Sequence, residues 1–175
     1  RVTDLLTKSR LIIKGMKPID LINYVNLNFD EMSYVLEMRN HPSIKKWMYS
    51  QEEISFEEHL KFIQSLKRSG DKLYYLVKQD SSIIGCINFS NIGENSTEFG
   101  IYANPFLQIK GKGHILHQSA EEFAKSKLGV NSIKLEVLGN NTHAIDFYKS
   151  VGYKITPQRD DKLEGVLNFE KKLKI

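Results

Sequence analysis

Hydrophobic and polar residues alternate along this chain in short blocks that predict strands separated by helices. A first strand is predicted from Ile19 to Leu27, where apolar and polar residues alternate. Two apolar runs, Leu73–Val77 and Ile83–Phe89, flank a polar turn and predict a hairpin. Four further strands are predicted at residues 97–102, 132–138, 153–155 and 166–171.

Four segments between these strands have helical spacing. The first, residues 30–40, ends before Pro42, because a residue that precedes proline is disfavoured in a helix. Ser55 and Glu58 have the spacing of a capping box, which predicts a helix up to Leu66. The other two cover residues 112–127 and 141–151. This order predicts a single α/β (α+β) domain with a mixed central sheet of about seven strands and about four flanking helices.

Composition narrows the class of protein. A chain of 175 residues with 41% hydrophobic and 26% charged residues is long enough for one folded domain and is not a disordered chain. Its apolar stretches are too short to span a membrane, so no membrane partner is expected. The single cysteine, Cys86, allows no internal disulfide and fits a reducing, cytoplasmic location.

The charge balance favours small anionic ligands over nucleic acid. The net charge is +4, and the 25 basic residues are interspersed with 21 acidic ones rather than gathered in a stripe. An ordinary mixed surface is the alternative interpretation. His114 and His117 lie three positions apart, but no third ligand is apparent, so no metal is predicted.

Two segments carry candidate chemistry. Residues 108–113, with the sequence QIKGKG, follow a predicted strand and open a predicted helix, where unpaired N–H groups and the helix dipole favour phosphate. Residues 141–153, with the sequence NTHAIDFYKSVGY, predict a capped helix with one apolar face. Taken singly, the first is also compatible with an ordinary loop and the second with an ordinary packed helix.

Together, these segments resemble the GCN5-related N-acetyltransferase family. Its acyl-CoA loop reads Gln/Arg-x-x-Gly-x-Gly/Ala, matched by Gln108, Gly111 and Gly113. Its following helix reads Asn-x-x-Ala-x-x-x-Tyr-x-x-x-Gly-Phe/Tyr, and the matching residues are Asn141, Ala144, Tyr148, Gly152 and Tyr153. The resemblance covers residues 16–172. It implies an N-acetyltransferase domain at 16–175, with residues 1–15 as a native extension or a cloning remnant.

The resemblance implies acetyl-CoA as the acetyl donor and no metal. It implies that the central sheet splays apart at the acetyl-CoA cleft. The backbone N–H of Ile101 would polarise the thioester carbonyl, and Tyr148 would protonate the departing CoA thiolate. A core aromatic is the alternative role for Tyr148. The cofactor-binding residues implied are Gly100, Ile101, Tyr102, Gln108, Ile109, Lys110, Gly111, Lys112, Gly113, His114, Asn141, Ala144, Phe147 and Lys149.

The acceptor amine must lose a proton before it attacks. Glu136 is the candidate base, because strand alternation places it on the opposite face from Leu135 and Val137. Asn88, in the neighbouring strand region, is the candidate to orient the amine. Both residues are equally compatible with a solvated strand position.

The N-terminal half is similar to nucleotide-sugar N-acetyltransferases of the pseudaminic acid pathway, which supplies flagellin glycosylation. The resemblance implies the 4-amino group of UDP-4-amino-4,6-dideoxy-N-acetyl-β-L-altrosamine as acceptor. The residue types suit diphosphate, uracil, hydroxyl and methyl groups, and the substrate-binding candidates are Arg39, His41, Trp47, Met48, Tyr49 and His59. The alternatives are an ion pair of Arg39 with Glu37 or a neighbouring acid, a core Trp47 and an exposed His59.

Two other functions remain open from the sequence. One is acetylation of a peptide α-amine, as in transferases that modify ribosomal protein N-termini. The other is a non-catalytic acyl-CoA-binding module, against which an intact Tyr148 argues. The cluster of Arg39, Lys45 and Lys46 favours a phosphate-bearing acceptor over a basic peptide. The resemblance also implies a homodimer.

Overall fold

The computed structural model describes residues 8–157 and 165–174. Its strands are β1 (Ser9–Leu11), β2 (Ile19–Asn23), β3 (Leu73–Gln79), β4 (Ser82–Ser90), β5 (Ser96–Ala103), β6 (Ser132–Leu138), β7 (Lys154–Thr156) and β8 (Val166–Lys172). Its helices are α1 (Phe29–Asn40), α2 (Pro42–Lys45), α3 (Phe56–Leu66), α4 (Lys112–Phe123) and α5 (Thr142–Ser150).

One sheet contains all eight strands, in the order β1-β2-β3-β4-β5-β6-β8-β7. Every neighbouring pair is antiparallel except β5–β6, so the predicted mixed sheet in a single α/β domain is confirmed. The described part of the chain has one strand and one helix more than predicted, β1 and the short α2. The boundary after residue 15 stays a prediction, although β1 lies before it and pairs with β2.

The sheet opens between β5 and β6. These two strands pair only over Ser96–Glu98 and Ser132–Lys134. Beyond this point β5 continues on β4 as far as Ala103, and β6 continues on β8 as far as Leu138. The predicted splay is therefore present, and it leaves a gap in the middle of the sheet that runs for about half of each strand.

Local signals explain most of the element boundaries. Both capping-box hydrogen bonds predicted for Ser55 and Glu58 are formed at the start of α3. The hairpin between β3 and β4 turns on Asp80 and Ser81, whose φ angles of 51° and 68° match a type I′ turn. The strand predicted at Ile19–Leu27 is β2, and it ends at Asn23 rather than Leu27. The Asn23 side chain accepts the Val25 N–H and starts a 3₁₀ turn there.

Two hydrophobic clusters cover the two faces of the sheet. One joins the sheet to α4 through residues such as Phe89, Leu116 and Phe123. The other joins it to α1 and α3 through residues such as Met38 and Ile63. None of the helices in the described ranges is long and apolar enough to cross a membrane.

Candidate functional site

A cavity of about 970 Å³ opens at the gap between β5 and β6. It extends from the first turn of α4, past the facing parts of β5 and β6, to α1 and the loop that follows α2. Because β5 and β6 separate here, the cavity crosses the sheet rather than lying on one face of it. The cavity is therefore long enough for two ligands that occupy its opposite ends and meet in the middle.

Most of the sequence-predicted site residues line this cavity. All three catalytic candidates do so, namely Tyr148, Glu136 and Asn88. So do most cofactor-binding candidates: Gly100, Ile101, Tyr102, Ile109, Gly111, Lys112, Gly113, Asn141, Ala144 and Phe147. The acceptor-side candidates that line it are Arg39, Trp47, Met48, Tyr49 and His59. The lining does not include Gln108, Lys110, His114, Lys149 and His41. The roles of all these residues stay predictions.

His41 has a local structural role. Its Nδ1 accepts the Ser43 N–H at 3.1 Å and so caps α2. Its ring packs edge-on against Phe106, with 5.4 Å between the ring centroids. These contacts hold the His41 side chain at the start of α2, outside the cavity lining.

The start of α4 is built to receive an anion. Gly111 takes a φ of 86°, a left-handed conformation that favours glycine, and begins the helix. The first i→i−4 hydrogen bond is made by Ile115 N–H, so the three preceding N–H groups lie in the unbonded first turn. The Lys112 ammonium donates to the backbone carbonyls of Asn104 and Leu107. Lys112 therefore holds the preceding loop in shape, with its charge close to the helix start.

Tyr148 of α5 lines the cavity on the α4 side, with its ring centroid 6.3 Å from that of His117. Its side chain is 6% exposed and packs edge-on against the rings of Phe99 and Tyr153. Burial raises the pKa of Tyr148 above that of an ordinary tyrosine. The phenol therefore keeps its proton through the neutral pH range, as a proton donor requires.

Glu136 of β6 lines the cavity, and a residue at the acceptor end of the cavity orients its carboxylate. The Tyr49 hydroxyl donates to Glu136 Oε1 at 2.7 Å, which joins the loop after α2 to β6. Burial and the bond to Glu136 raise the pKa of Tyr49, so this hydroxyl stays a donor. The candidate base thus carries a carboxylate that is oriented by a specific partner, and its role as the base stays a prediction.

A second carboxylate lies in the same cavity and was not predicted. Glu98 lines the cavity from β5 and accepts a hydrogen bond from the Asn91 side chain. Strand alternation gives the signal that would have found it, since Glu98 lies two residues before Gly100. Glu98 is therefore a second candidate base.

Asn88 lies over the gap because its neighbour is a glycine. Asn88 and Gly100 are paired across β4 and β5. A Cβ atom at Gly100 would lie 2.8 Å from Asn88 Oδ1. A larger residue at Gly100 would displace the amide, so this glycine fixes where Asn88 can reach.

Arg39 lies at the acceptor end among tyrosine rings. Its Nη1 atom is buried and has no hydrogen-bond partner among the described residues. Burial lowers the pKa of Arg39, and the nearby hydroxyl groups of Tyr24, Tyr74 and Tyr102 oppose that shift. The alternative ion pair with Glu37 is not formed within the described ranges. The guanidinium is thus available to an anion in the cavity.

His59 is buried rather than exposed on α3, so that alternative is wrong. Its residue exposure is 6%, and a ring nitrogen donates to the Met32 carbonyl. Nε2 has no partner among the described residues, so the donor is Nδ1. Burial lowers the pKa of His59, which keeps the ring neutral and Nε2 an acceptor. It suits a ligand hydroxyl or N–H better than a phosphate.

We expect His59 to make the protein less stable as the pH falls. The pKa of His59 is lower in the folded state. Above a pH of about 6.5, the unfolded-state pKa, the ring is neutral in both states and adds no pH dependence to the free energy of unfolding. Below that pH the unfolded state binds the proton more readily, and the free energy of unfolding decreases. Urea unfolding at pH 7 and pH 5 should show a smaller loss for His59→Gln than for the wild type.

The matched control for that measurement is His114→Gln, since His114 is exposed at the start of α4. This variant should lose as much stability between the two pH values as the wild type. An equal pH dependence in His59→Gln and the wild type would contradict the neutral, buried assignment.

Comparisons with known proteins agree with this geometry. Residues 34–153 match the model of the acetyltransferase (GNAT) family. Acetyltransferase PseH of Campylobacter jejuni (strain 81-176) is 39% identical over 143 residues, covering 82% of this chain and 89% of that protein. The crystal structure of Campylobacter jejuni N-acetyltransferase PseH in complex with acetyl coenzyme A superposes with a TM-score of 0.71. That comparison has 34% identity over 88% of this chain and 98% of the other.

A more distant solved structure shares only the fold. Spermidine N-acetyltransferase from Vibrio cholerae, in complex with CoA and spermine, superposes with a TM-score of 0.76 at 18% identity. It covers 88% of this chain and 95% of that chain. At this identity the likeness concerns the arrangement of the strands and helices, and it carries no information on the acceptor.

Proposed function

The chain belongs to the acetyltransferase (GNAT) family, and from that premise we propose its donor, acceptor and mechanism. It transfers the acetyl group of acetyl-CoA to the 4-amino group of UDP-4-amino-4,6-dideoxy-N-acetyl-β-L-altrosamine. The reaction is a step of pseudaminic acid biosynthesis, which supplies flagellin glycosylation. The similarity to Acetyltransferase PseH over 82% of the chain supports this acceptor.

One observation carries the proposal, namely the single cavity that crosses the sheet at the splay. At one end it reaches the free N–H groups of the first turn of α4, which suit the pyrophosphate of CoA. At the other end it reaches Arg39, whose half-buried guanidinium has an unpartnered Nη1 atom and suits the diphosphate of a nucleotide sugar. The two anionic ligands therefore meet between β5 and β6, where Tyr148 and Glu136 lie.

The chemistry at the meeting point follows from those side chains. Glu136 takes a proton from the acceptor ammonium, directly or through water, and the neutral amine attacks the thioester carbonyl. The N–H of Ile101 stabilises the negative charge that forms on the carbonyl oxygen. When the carbon–sulfur bond breaks, Tyr148 donates its phenolic proton to the CoA thiolate. The attacking nitrogen releases its second proton to solvent water, and water returns a proton to the Tyr148 phenolate, so the net reaction releases one proton. The products are the amide and CoA, and both substrates are bound when the transfer occurs.

Several residues support a nucleotide-sugar acceptor over a peptide. The Lys46 ammonium lies 5.2 Å from the ring centroid of Trp47, and Trp47 is 36% exposed and lines the cavity. A cation and an aromatic face at the acceptor side suit a nucleotide better than a basic N-terminal peptide. The unpartnered Nε2 of His59 can accept from a hydroxyl or a uracil N–H.

The test is CoA release with acetyl-CoA and a panel of acceptors. The panel contains UDP-4-amino-4,6-dideoxy sugars of both stereochemical series, N-terminal peptides and spermidine. Turnover selective for the altrosamine-type sugar is the expected result. Turnover with peptides alone would overturn the acceptor and retain the acetyl transfer. Tight acetyl-CoA binding without turnover on any acceptor would favour a non-catalytic acyl-CoA-binding module.

We expect Arg39→Leu to raise the KM for the nucleotide sugar about 10- to 100-fold, because a charge-assisted hydrogen bond contributes roughly 1.5–3 kcal/mol. The KM for acetyl-CoA should stay within about twofold, since Arg39 lies at the acceptor end. Arg68→Leu is the matched control, because Arg68 is exposed beyond α3 and the change in net charge is the same. Equal effects of the two variants would show that overall charge, and not Arg39, binds the acceptor.

The cytoplasm is the proposed location and a homodimer the proposed assembly. Cys86 is a free, buried thiol, and burial raises its pKa to about 11, which suits a structural residue in a reducing compartment. Light scattering on the purified full chain tests the assembly, with twice the monomer mass expected. A monomer at working concentration would contradict the homodimer.

A further inference from the structure

A buried polar cluster lies behind Tyr148 and takes no part in the chemistry described above. His117 of α4 is fully buried, and its Nε2 lies 3.1 Å from the Tyr153 hydroxyl and 3.0 Å from Glu121 Oε2. The Lys171 ammonium of β8 donates to the same carboxylate oxygen at 2.7 Å. We call these four residues, His117, Glu121, Tyr153 and Lys171, the rear cluster.

The rear cluster joins three separate elements of the fold. His117 and Glu121 come from α4, whose first turn faces the proposed pyrophosphate site. Tyr153 follows α5, the helix that carries Tyr148, and Lys171 comes from β8. A Cβ atom at Gly152 would lie 3.3 Å from Cε of Lys171, so this glycine gives the lysine stem its path past α5. The contacts therefore fix α5 relative to α4 and to the sheet.

The charges in the cluster compensate one another. Burial raises the pKa of Glu121, but the hydrogen bonds and charges of His117 and Lys171 outweigh it and lower the pKa. Glu121 is thus a carboxylate, and Lys171 also lies over the Tyr153 ring at 5.7 Å. Nδ1 of His117 is buried without a hydrogen-bond partner among the described residues, while Nε2 and Glu121 form the bonds that link α4 to Tyr153 and β8. Directional bonds between separate elements favour one arrangement of those elements.

The rings of this cluster pack directly on the proposed acid. The centroid of the Tyr148 ring is 5.4 Å from that of Tyr153 and 6.3 Å from that of His117. Phe99 completes the packing from the cavity side of β5, at 6.1 Å from Tyr148. A shift of His117 or Tyr153 therefore moves the Tyr148 ring within the gap.

We propose that His117, held by Glu121, Lys171 and Tyr153, is a positioning residue that places the Tyr148 hydroxyl for proton donation. The inference rests on the proposed function, because it assigns Tyr148 as the acid. His117 does not line the cavity. It acts by fixing the end of α5 against α4, so that the phenol meets the CoA sulfur at the moment the thiolate leaves. Misplacement of a reacting group by about 1 Å can lower a rate about 100-fold.

The test is a double-mutant cycle on kcat, measured as CoA release with the acceptor that gives turnover in the panel. Its corners are the wild type, His117→Phe, Tyr148→Phe and the double variant. We expect His117→Phe to lower kcat about 10-fold, with the KM for acetyl-CoA within about twofold. In the Tyr148→Phe background it should lower kcat no further, because the group that it positions is already absent.

Tyr153→Phe is the second variant, since it removes one hydroxyl and keeps the ring packing. It should repeat the pattern of His117→Phe with a smaller decrease. Tyr75→Phe is its matched control: Tyr75 is fully buried, hydrogen bonds with Asn23, and lies outside the cavity lining. Its kcat should stay at the wild-type value even if its melting temperature falls.

The outcomes separate this inference from the proposed function. An equal fold-loss of kcat from His117→Phe in both backgrounds overturns positioning, and so does wild-type kcat in both His117→Phe and Tyr153→Phe. A loss that follows the melting temperature across all variants, Tyr75→Phe included, also overturns it. If Tyr148→Phe alone keeps full kcat, the acid assignment is wrong and the positioning role falls with it.

Discussion

Tyr148→Phe should lower kcat by about 10²- to 10⁴-fold, the range that a positioned general acid supplies. The substitution removes only the phenolic oxygen. The remaining ring keeps its contacts with Phe99, Tyr153 and Phe169, so the fold and the cavity should stay intact. The KM for acetyl-CoA should change little, because the lost interaction forms with the sulfur only as the carbon–sulfur bond breaks.

The pH profile gives an independent check on the same residue. Since burial raises the pKa of Tyr148, its deprotonation should not reduce kcat/KM below the ordinary tyrosine pKa of about 10. Tyr75→Phe is again the matched control and should keep wild-type kcat. Unchanged turnover in Tyr148→Phe would point to water as the acid.

The arrangement of strands and helices was largely predictable because its signals are local. The alternation over residues 132–138 and the capping box at Ser55 depend only on neighbours along the chain, and both were confirmed. The two motifs at residues 108–113 and 141–153 identified the family from the sequence, because each fixes a backbone conformation that is needed at the cleft. β1 escaped prediction because a strand of three residues has too few positions to show a period.

The contacts that orient the site were not predictable from the sequence. Tyr49 and Glu136 are 87 residues apart, and His117 and Tyr153 are 36 apart. No spacing along the sequence predicts either contact, because each depends on how separate helices and strands pack together. His59 shows the same limit, since its place on α3 left burial undecided until the packing against Tyr24 was known.

Glu136→Gln should lower kcat about 100-fold, because the amide cannot accept the proton that the acceptor ammonium must lose. The side chain keeps its length, and the Tyr49 hydroxyl can still donate to the remaining carbonyl oxygen. Binding of acetyl-CoA and the nucleotide sugar should therefore be almost unchanged. The acid limb of the kcat/KM profile, which reports the ionisation of the base in the free enzyme, should disappear.

Tyr49→Phe separates the orientation of the base from its chemistry. Loss of the 2.7 Å hydrogen bond leaves the carboxylate able to accept a proton but free to rotate, so a decrease of about 10-fold is expected. The acid limb should persist in this variant.

Glu98→Gln is the competing experiment, because Glu98 lies in the same cavity on the opposite side of the splay. The Asn91 side chain already occupies one of its oxygens. If Glu136 is the base, Glu98→Gln should retain most of the activity and the acid limb. Loss of that limb in Glu98→Gln, with near-normal turnover in Glu136→Gln, would transfer the role to Glu98. The base would then lie on β5, on the same strand as the Ile101 N–H, and the amine would approach the thioester from that side.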